Sequence, residues 1–219
     1  IPTFNDMYYL RIGNTNLKPE KAIQYNVGVT WSGELPGIRY ASFSADGYYN
    51  RVKDKIVAMP TMFIWKMMNM GEVSIGGLDV NLSAEIPLHE KLSLLAQAAY
   101  TYQKAIDITN EEAKNYKDQI PYTPEHSGNV SLSLLNPWLN FSYHMTCVGD
   151  RYALPQNIED NRIARYAEQG ISVNREFQIH ACKLRLQGEL LNLANKTYDV
   201  IQYYPMPGRS WRLSVSVTY

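Results

Sequence analysis

The chain has 219 residues, 45% of them hydrophobic and 19% charged, which is enough apolar material to fold and too much for a disordered polymer. Its 21 Lys plus Arg balance 21 Asp plus Glu, so no net field recruits nucleic acid, and a nucleic-acid partner is not expected. Cys147 and Cys182 lack metal-ligand spacing and fall on predicted strands that are not neighbours, so both are expected as free thiols. The sequence opens Ile1-Pro2-Thr3-Phe4, without an initiator methionine, basic n-region or apolar h-region, and is expected to derive from a longer precursor.

In chain order, residues 1–19 are followed by segments that alternate apolar and polar side chains with a period of two. In Ile23 to Trp31 the apolar set is Ile23, Tyr25, Val27, Val29 and Trp31 against Gln24, Asn26, Gly28 and Thr30. A less regular segment runs from Arg39 to Arg51. Leu78, Val80, Leu82, Ala84 and Ile86 then alternate with Asp79, Asn81, Ser83 and Glu85. After Lys91 to Gln103 comes Ser127 to Gly149, a stretch free of Asp, Glu, Lys and Arg. Its length suggests a membrane helix, but polar residues recur at every second position and Asn136-Pro137 marks a turn, so two strands are predicted. Glu168 to Phe177 and Cys182 to Asn192 follow. The last segment sets Trp211, Leu213, Val215, Val217 and Tyr219 against Arg212, Ser214, Ser216 and Thr218, giving nine strands in all.

The links alternate in length. Short ones at Ser32–Gly37, Pro87–Glu90, Leu135–Pro137 and Gln178–Ala181 interleave with long ones at Val52–Gly71, Lys104–His126, Asp150–Ala167 and Leu193–Gly208. Short turns at one rim and long loops at the other are what an all-β, antiparallel up-and-down transmembrane barrel requires, with residues 1–19 at the long-loop rim. Aromatic residues at predicted strand ends (Trp31, Tyr100, Tyr102, Trp138, Tyr166, Phe177, Trp211 and Tyr219) match two girdles at headgroup level.

The candidates for chemistry are sparse. His89, His126, His144 and His180 are scattered, and no metal or cofactor site is expected. Ser142 and His144 share a strand face, which keeps an outer-membrane lipase open as one alternative, although no third group is evident. A soluble β-sandwich that binds carbohydrate is another, since sandwiches also alternate. The Gly76-Gly77 pair reads as a bulge or a close backbone approach. The apolar loop from Val57 to Met70 offers an adaptable surface at the long-loop rim or packs on its neighbours. Lys104 to Lys117 has the charge spacing of a short solvated helix. Tyr8, Tyr9, Met62, Trp65, Tyr203 and Tyr204 fall at the same rim and are the candidate contacts for a small ligand.

Three segments carry a family resemblance. Pro2-Thr3-Phe4-Asn5-Asp6-Met7-Tyr8-Tyr9 ends on an aromatic pair, and Gly13-Asn14-Thr15-Asn16-Leu17-Lys18-Pro19-Glu20 follows it. The third is Leu191-Asn192-Leu193-Ala194-Asn195-Lys196-Thr197-Tyr198, with Tyr204-Pro205-Met206-Pro207-Gly208-Arg209 and the terminal aromatic Tyr219. In order and spacing these resemble the barrels of TonB-dependent receptors over essentially the whole chain, with Thr15 where proline is usual.

The resemblance implies a 22-stranded outer-membrane barrel of a Gram-negative bacterium, of which residues 1–219 would form the C-terminal portion, about nine strands. It implies uptake of a scarce nutrient such as an iron chelate or cobalamin, and no enzymatic reaction. The plug domain and the earlier strands would be missing partners, and a TonB-type protein would act through that plug. The absence of a histidine between Pro2 and Glu20 argues against haem as the ligand. In such barrels the final strand directs assembly, which here means Trp211, Leu213, Val215, Val217 and Tyr219. Nine strands about 4.8 Å apart make an arc of roughly 43 Å, under half of such a wall, so both edges need partners.

Overall fold

The computed structural model describes residues 1–60 and 63–219, with Pro60 by its backbone alone. A five-residue helix, α1 (Phe4–Tyr8), precedes β1 (Lys21–Leu35), β2 (Ile38–Pro60), β3 (Trp65–His89), β4 (Leu92–Asp107), β5 (His126–Leu135) and β6 (Asn140–Val148). Two short strands, β7 (Arg151–Tyr152) and β8 (Arg162–Ile163), come before β9 (Tyr166–Ile179) and β10 (Cys182–Leu191). Another short pair, β11 (Asp199–Ile201) and β12 (Tyr204–Pro205), precedes β13 (Ser210–Thr218). Nine strands form one sheet in the order β1-β2-β3-β4-β5-β6-β9-β10-β13, and every neighbouring pair is antiparallel.

The registers keep each face continuous. Trp31 lies opposite Phe43, Phe43 opposite Leu82, Leu82 opposite Ala98, Ala98 opposite Val130, and Val130 opposite Met145. One residue along, the row reads Thr30, Ser44, Asn81, Ala99, Asn129, Thr146 and Glu168. Because side chains alternate across a strand, one face is apolar and the other polar from β1 to β13. Among the described residues nothing covers the apolar face: Val27 is 77% exposed, Trp211 74% and Leu213 73%. A face of that extent is far larger than the patches a water-soluble monomer leaves open, and hydrocarbon is its natural solvent. A sandwich would need a second sheet against it. Among the described residues the other ladders, β7–β8 and β11–β12, are only two or three residues long, so the sandwich alternative fails.

Local chemistry sets the tight turns. Pro36 and Gly37 join β1 to β2, with Gly37 at φ 80°, the left-handed geometry that glycine reaches without steric cost. Between β5 and β6 the Asn136 side-chain oxygen accepts from the N–H groups of Trp138 and Leu139 at 2.9 and 3.0 Å, an Asx turn. On the polar face Glu189 and Arg212 stand opposite each other and join at 2.5 Å.

Several expectations need correction. The link predicted at Val52–Gly71 is largely strand: β2 runs to Pro60 and β3 starts at Trp65, so this hairpin projects well beyond a bilayer's thickness. No helix forms over Lys104 to Lys117; β4 continues to Asp107, whose carboxylate gathers Thr109 and Asn115 into a turn. Pairing runs through Gly76-Gly77 without a register shift, so there is no bulge. Close approach is the reason for Gly77: the Tyr48 ring covers it, and a Cβ there would collide with that ring and meet the Tyr102 carbonyl at 2.6 Å. Cys147 and Cys182 are free thiols on non-neighbouring strands, as expected.

Close packing is concentrated where the long loops fold inward. Val73 and Ala105 are fully buried with Ile120, and the Ile120 N–H donates to the Ala105 carbonyl at 3.0 Å. A single-layer wall has no second layer to bury residues against, and among the described residues the remainder of the sheet forms no core cluster.

Candidate functional site at the long-loop rim

The segments that carried the family resemblance are structural clamps at this rim. Thr3 and Asp6 form a reciprocal capping box that starts α1, at 3.2 and 2.8 Å. The stretch from Gly13 to Glu20 docks on the projecting hairpin: the Lys18 N–H donates to Asn69 Oδ1 at 2.8 Å, and Glu20 Oε1 accepts the Ile56 N–H at 2.7 Å. Asn192, buried, closes the base of the loop before β13, donating to the carbonyls of Lys196 at 2.8 Å and Pro207 at 3.1 Å. Asn195 Oδ1 accepts the Arg209 N–H at 2.8 Å beside it.

Between these clamps an aromatic and cationic cluster forms on the polar side of the wall. Trp65, at the start of β3, lies 5.5 Å from Tyr122. Tyr122 is fastened to the next loop by its N–H, which donates to the Tyr152 carbonyl at 2.8 Å. Burial pushes the Tyr122 hydroxyl pKa up, opposed by the Gln202 backbone and the nearby Arg151 charge. Arg151, 3% exposed, donates from Nη2 to the carbonyls of Asp199 at 2.5 Å and Val200 at 3.0 Å. Its guanidinium lies 5.4 Å from the centre of the Tyr166 ring, and Tyr166 stacks on Tyr198 at 4.2 Å with 17° between planes. Tyr198 donates to the Glu168 carboxylate.

Burial lowers the Arg151 pKa, and Tyr166, Tyr122, Asp199 and Asp150 raise it again; guanidinium at this position stays a cation. Its Nη1 is buried without a hydrogen-bond partner among the described residues. A buried donor of this kind costs free energy while it lacks an acceptor.

Of the rim candidates among the described residues, only Trp65 is brought into this cluster. Tyr8 packs on Phe4 at 5.0 Å, and Tyr8 and Tyr9 remain exposed. Tyr203 and Tyr204 are exposed at the β11–β12 hairpin, with the Tyr203 N–H held by Asp199 at 3.1 Å. Met62 lies outside the described residues. Tyr166, expected in a girdle, is turned to the polar side by its register opposite Val148. Arg151 and Tyr198 carry no periodic signal in the sequence; only folding of three separate loops brings them together. Ser142 bonds Ser133 at 2.8 Å and His144 lies over Gly170, so these two residues do not form a catalytic pair.

The model of the family described as "TonB dependent receptor-like, beta-barrel" matches residues 1–193. The chain is 24% identical over 234 residues to "Vitamin B12 transporter BtuB" of Vibrio vulnificus (strain YJ016), covering 100% of this chain and 33% of that protein. A second protein of the same name, from Photobacterium profundum, is 23% identical over 96% of this chain and 32% of its own. The chain thus spans about a third of the length of these curated relatives. Among solved structures, ferric citrate transporter FecA superposes with a TM-score of 0.71 at 16% identity, covering 93% of this chain and 32% of that one. The siderophore receptor PiuA from Acinetobacter baumannii gives 0.66 at 19% identity, covering 90% and 28%. The chain belongs to the TonB-dependent receptor β-barrel family, whose members are receptors and not enzymes and reside in the outer membrane of Gram-negative bacteria.

Proposed function

We propose that this chain is the C-terminal part of the barrel wall of a transporter for a scarce, metal-bearing nutrient, an iron chelate or a cobalamin. The wall would have 22 strands in all, the first of them and a plug domain coming from the rest of a longer protein. A TonB-type partner would supply energy through the plug. The observation that carries this reading is the Arg151 cluster: a buried guanidinium with a donor left over, between tyrosine rings, on the polar side of a membrane wall. Oxygen-rich chelates and amide-bearing corrinoids offer acceptors for it. Trp65 belongs to this contact surface. Tyr8, Tyr9, Met62, Tyr203 and Tyr204 serve at the entrance. Relatives named as vitamin B12 transporters align along almost the whole chain, which makes a corrinoid the first ligand to test.

The test is growth of a Gram-negative strain lacking its own cobalamin and ferric-chelate receptors, supplied with the full-length receptor and one limiting nutrient. Growth that needs both the receptor and TonB supports the proposal. No growth on cobalamin or any ferric chelate, or growth independent of TonB, contradicts it.

A further inference from the structure

The projecting hairpin carries a concavity of about 240 Å³ where it meets the turn after β4. Three of the chain's eight methionines line it: Met59 from β2, and Met68 and Met70 from β3. The register explains the grouping. Met68 stands opposite Val57 and Met70 opposite Lys55, so the two methionines share one face of β3. Met59, two residues beyond Val57, falls on the same face, diagonally across from Met68. Met70 also packs on Val73, Ala105 and Ile120, which fixes its end of the row, while Met68 is 46% exposed and open to solvent. Asp107 borders the same concavity. It is 7% exposed and in no salt bridge among the described residues, and its oxygens accept from the neutral groups of Thr109, at 2.5 and 2.9 Å, and Asn115, at 2.9 Å.

Buried charges in proteins are paired or hold a metal ion, and this carboxylate lies beside three thioethers. Thioether sulfur is a soft donor that selects Cu(I), whereas Mg, Ca and Mn prefer oxygen. The three rotatable bonds of methionine let such sulfurs converge on one ion. We propose that the hairpin binds a soft monovalent cation, Cu(I), through Met59, Met68 and Met70, with the Asp107 carboxylate balancing its charge. Of the two lysines on that face, Lys55 is paired with Glu20 at 3.5 Å, and Lys66 is exposed, so its flexible chain keeps the ammonium in water. No electron transfer is involved: the ion enters and leaves as Cu(I). The site shares no residue with the Arg151 cluster and does not rest on the nutrient assigned there.

The experiment uses full-length receptor in detergent, with thiols blocked by N-ethylmaleimide so that Cys147 and Cys182 do not compete. Ag(I) serves as the redox-inert probe for Cu(I). Titration calorimetry compares the wild type with a Met59→Leu, Met68→Leu, Met70→Leu triple variant, in which leucine keeps the side-chain volume and removes the sulfur. The wild type should hold one Ag(I) more tightly than the variant by about tenfold or more, at least the loss that disturbing an outer-shell partner of a metal brings. In receptor labelled at the methionine methyl carbons, Ag(I) should shift a set of three resonances, a readout that stands even if the triple variant does not assemble. Equal binding by wild type and variant, or unshifted methyl resonances, would overturn the site. So would Mn(II) bound as tightly as Ag(I), since oxygen donors such as Asp107, Thr109 and Asn115 would then be the ligands.

Discussion

Arg151 lies 5.4 Å over the ring of Tyr166 while its Nη2 holds the Asp199 and Val200 carbonyls, so one side chain joins the β6–β9 connection to the loop before β13. Hydrogen bonds from a charged donor contribute about 1.5–3 kcal/mol, and a desolvated cation on a ring about 2 kcal/mol. Those magnitudes make Arg151 the keystone of the rim.

Arg151→Ala should therefore open the loop of residues 193–208 to limited proteolysis and lower the melting temperature of the full-length receptor. Arg151→Lys should restore little, because an ammonium cannot reproduce the planar fork that serves two carbonyls and a ring together. Unchanged protease resistance in Arg151→Ala would refute this role.

Tyr198 gives the rim an alkaline limit. Burial first, and then the bond to Glu168, raise its hydroxyl pKa above the ordinary 10.0. A raised folded-state pKa contributes stability that is complete below pH 10.0 and lost as pH climbs through the folded value. Titration of tyrosinate absorbance should show a late component that Tyr198→Phe removes. Persistence of that component in the variant would rule out Tyr198 as its source.

The two faces should respond oppositely to charge. Val215 is 67% exposed on the apolar face, and its neighbour Ser216 points to the polar one. Val215→Arg puts a guanidinium into hydrocarbon at a cost of about 2–4 kcal/mol near the bilayer midplane, whereas Ser216→Arg does not. Outer-membrane levels of the full-length receptor should fall for the first and hold for the second. Deleting Tyr219 should also reduce the level if the final strand directs assembly.

Gly76 and Gly77 should separate sharply. A Cβ at Gly76 meets nothing closer than 3.7 Å, but at Gly77 it strikes Tyr48 and the Tyr102 carbonyl. Gly77→Ala is expected to destabilise by about 1–3 kcal/mol, the cost of overpacking, and Gly76→Ala to be tolerated. Thermal melting of the two variants in detergent checks this, and similar losses at both positions would contradict the assigned contact.

The wall was legible in the sequence because a period of two over a half-lipid, half-water sheet is written into each strand on its own: Trp31, Leu82 and Val215 declare their face without reference to any partner. The height of the β2–β3 hairpin was not legible, since Val52 to Pro60 and Trp65 to Met70 keep strand pairing above the membrane where no lipid enforces alternation. Nor was the rim cluster. Arg151 is one arginine in a polar loop, and Tyr166 sits at the strand end where a girdle aromatic would sit. Their meeting depends on register and on the path of the loop from Leu193 to Gly208, information held between segments rather than within them.

The central claim is that one face of this sheet meets lipid and the other the interior of a barrel, and site-directed spin labelling along β13 tests it most directly. Labels go one at a time at Leu213, Ser214, Val215, Ser216 and Val217 of the full-length receptor in outer-membrane vesicles, with Cys147 and Cys182 replaced by serine. Relaxation by membrane-dissolved oxygen should be high at Leu213, Val215 and Val217 and low at Ser214 and Ser216. Oxygen relaxation without that alternation, or ready access of a water-soluble nickel complex to Leu213, Val215 and Val217, would contradict the account.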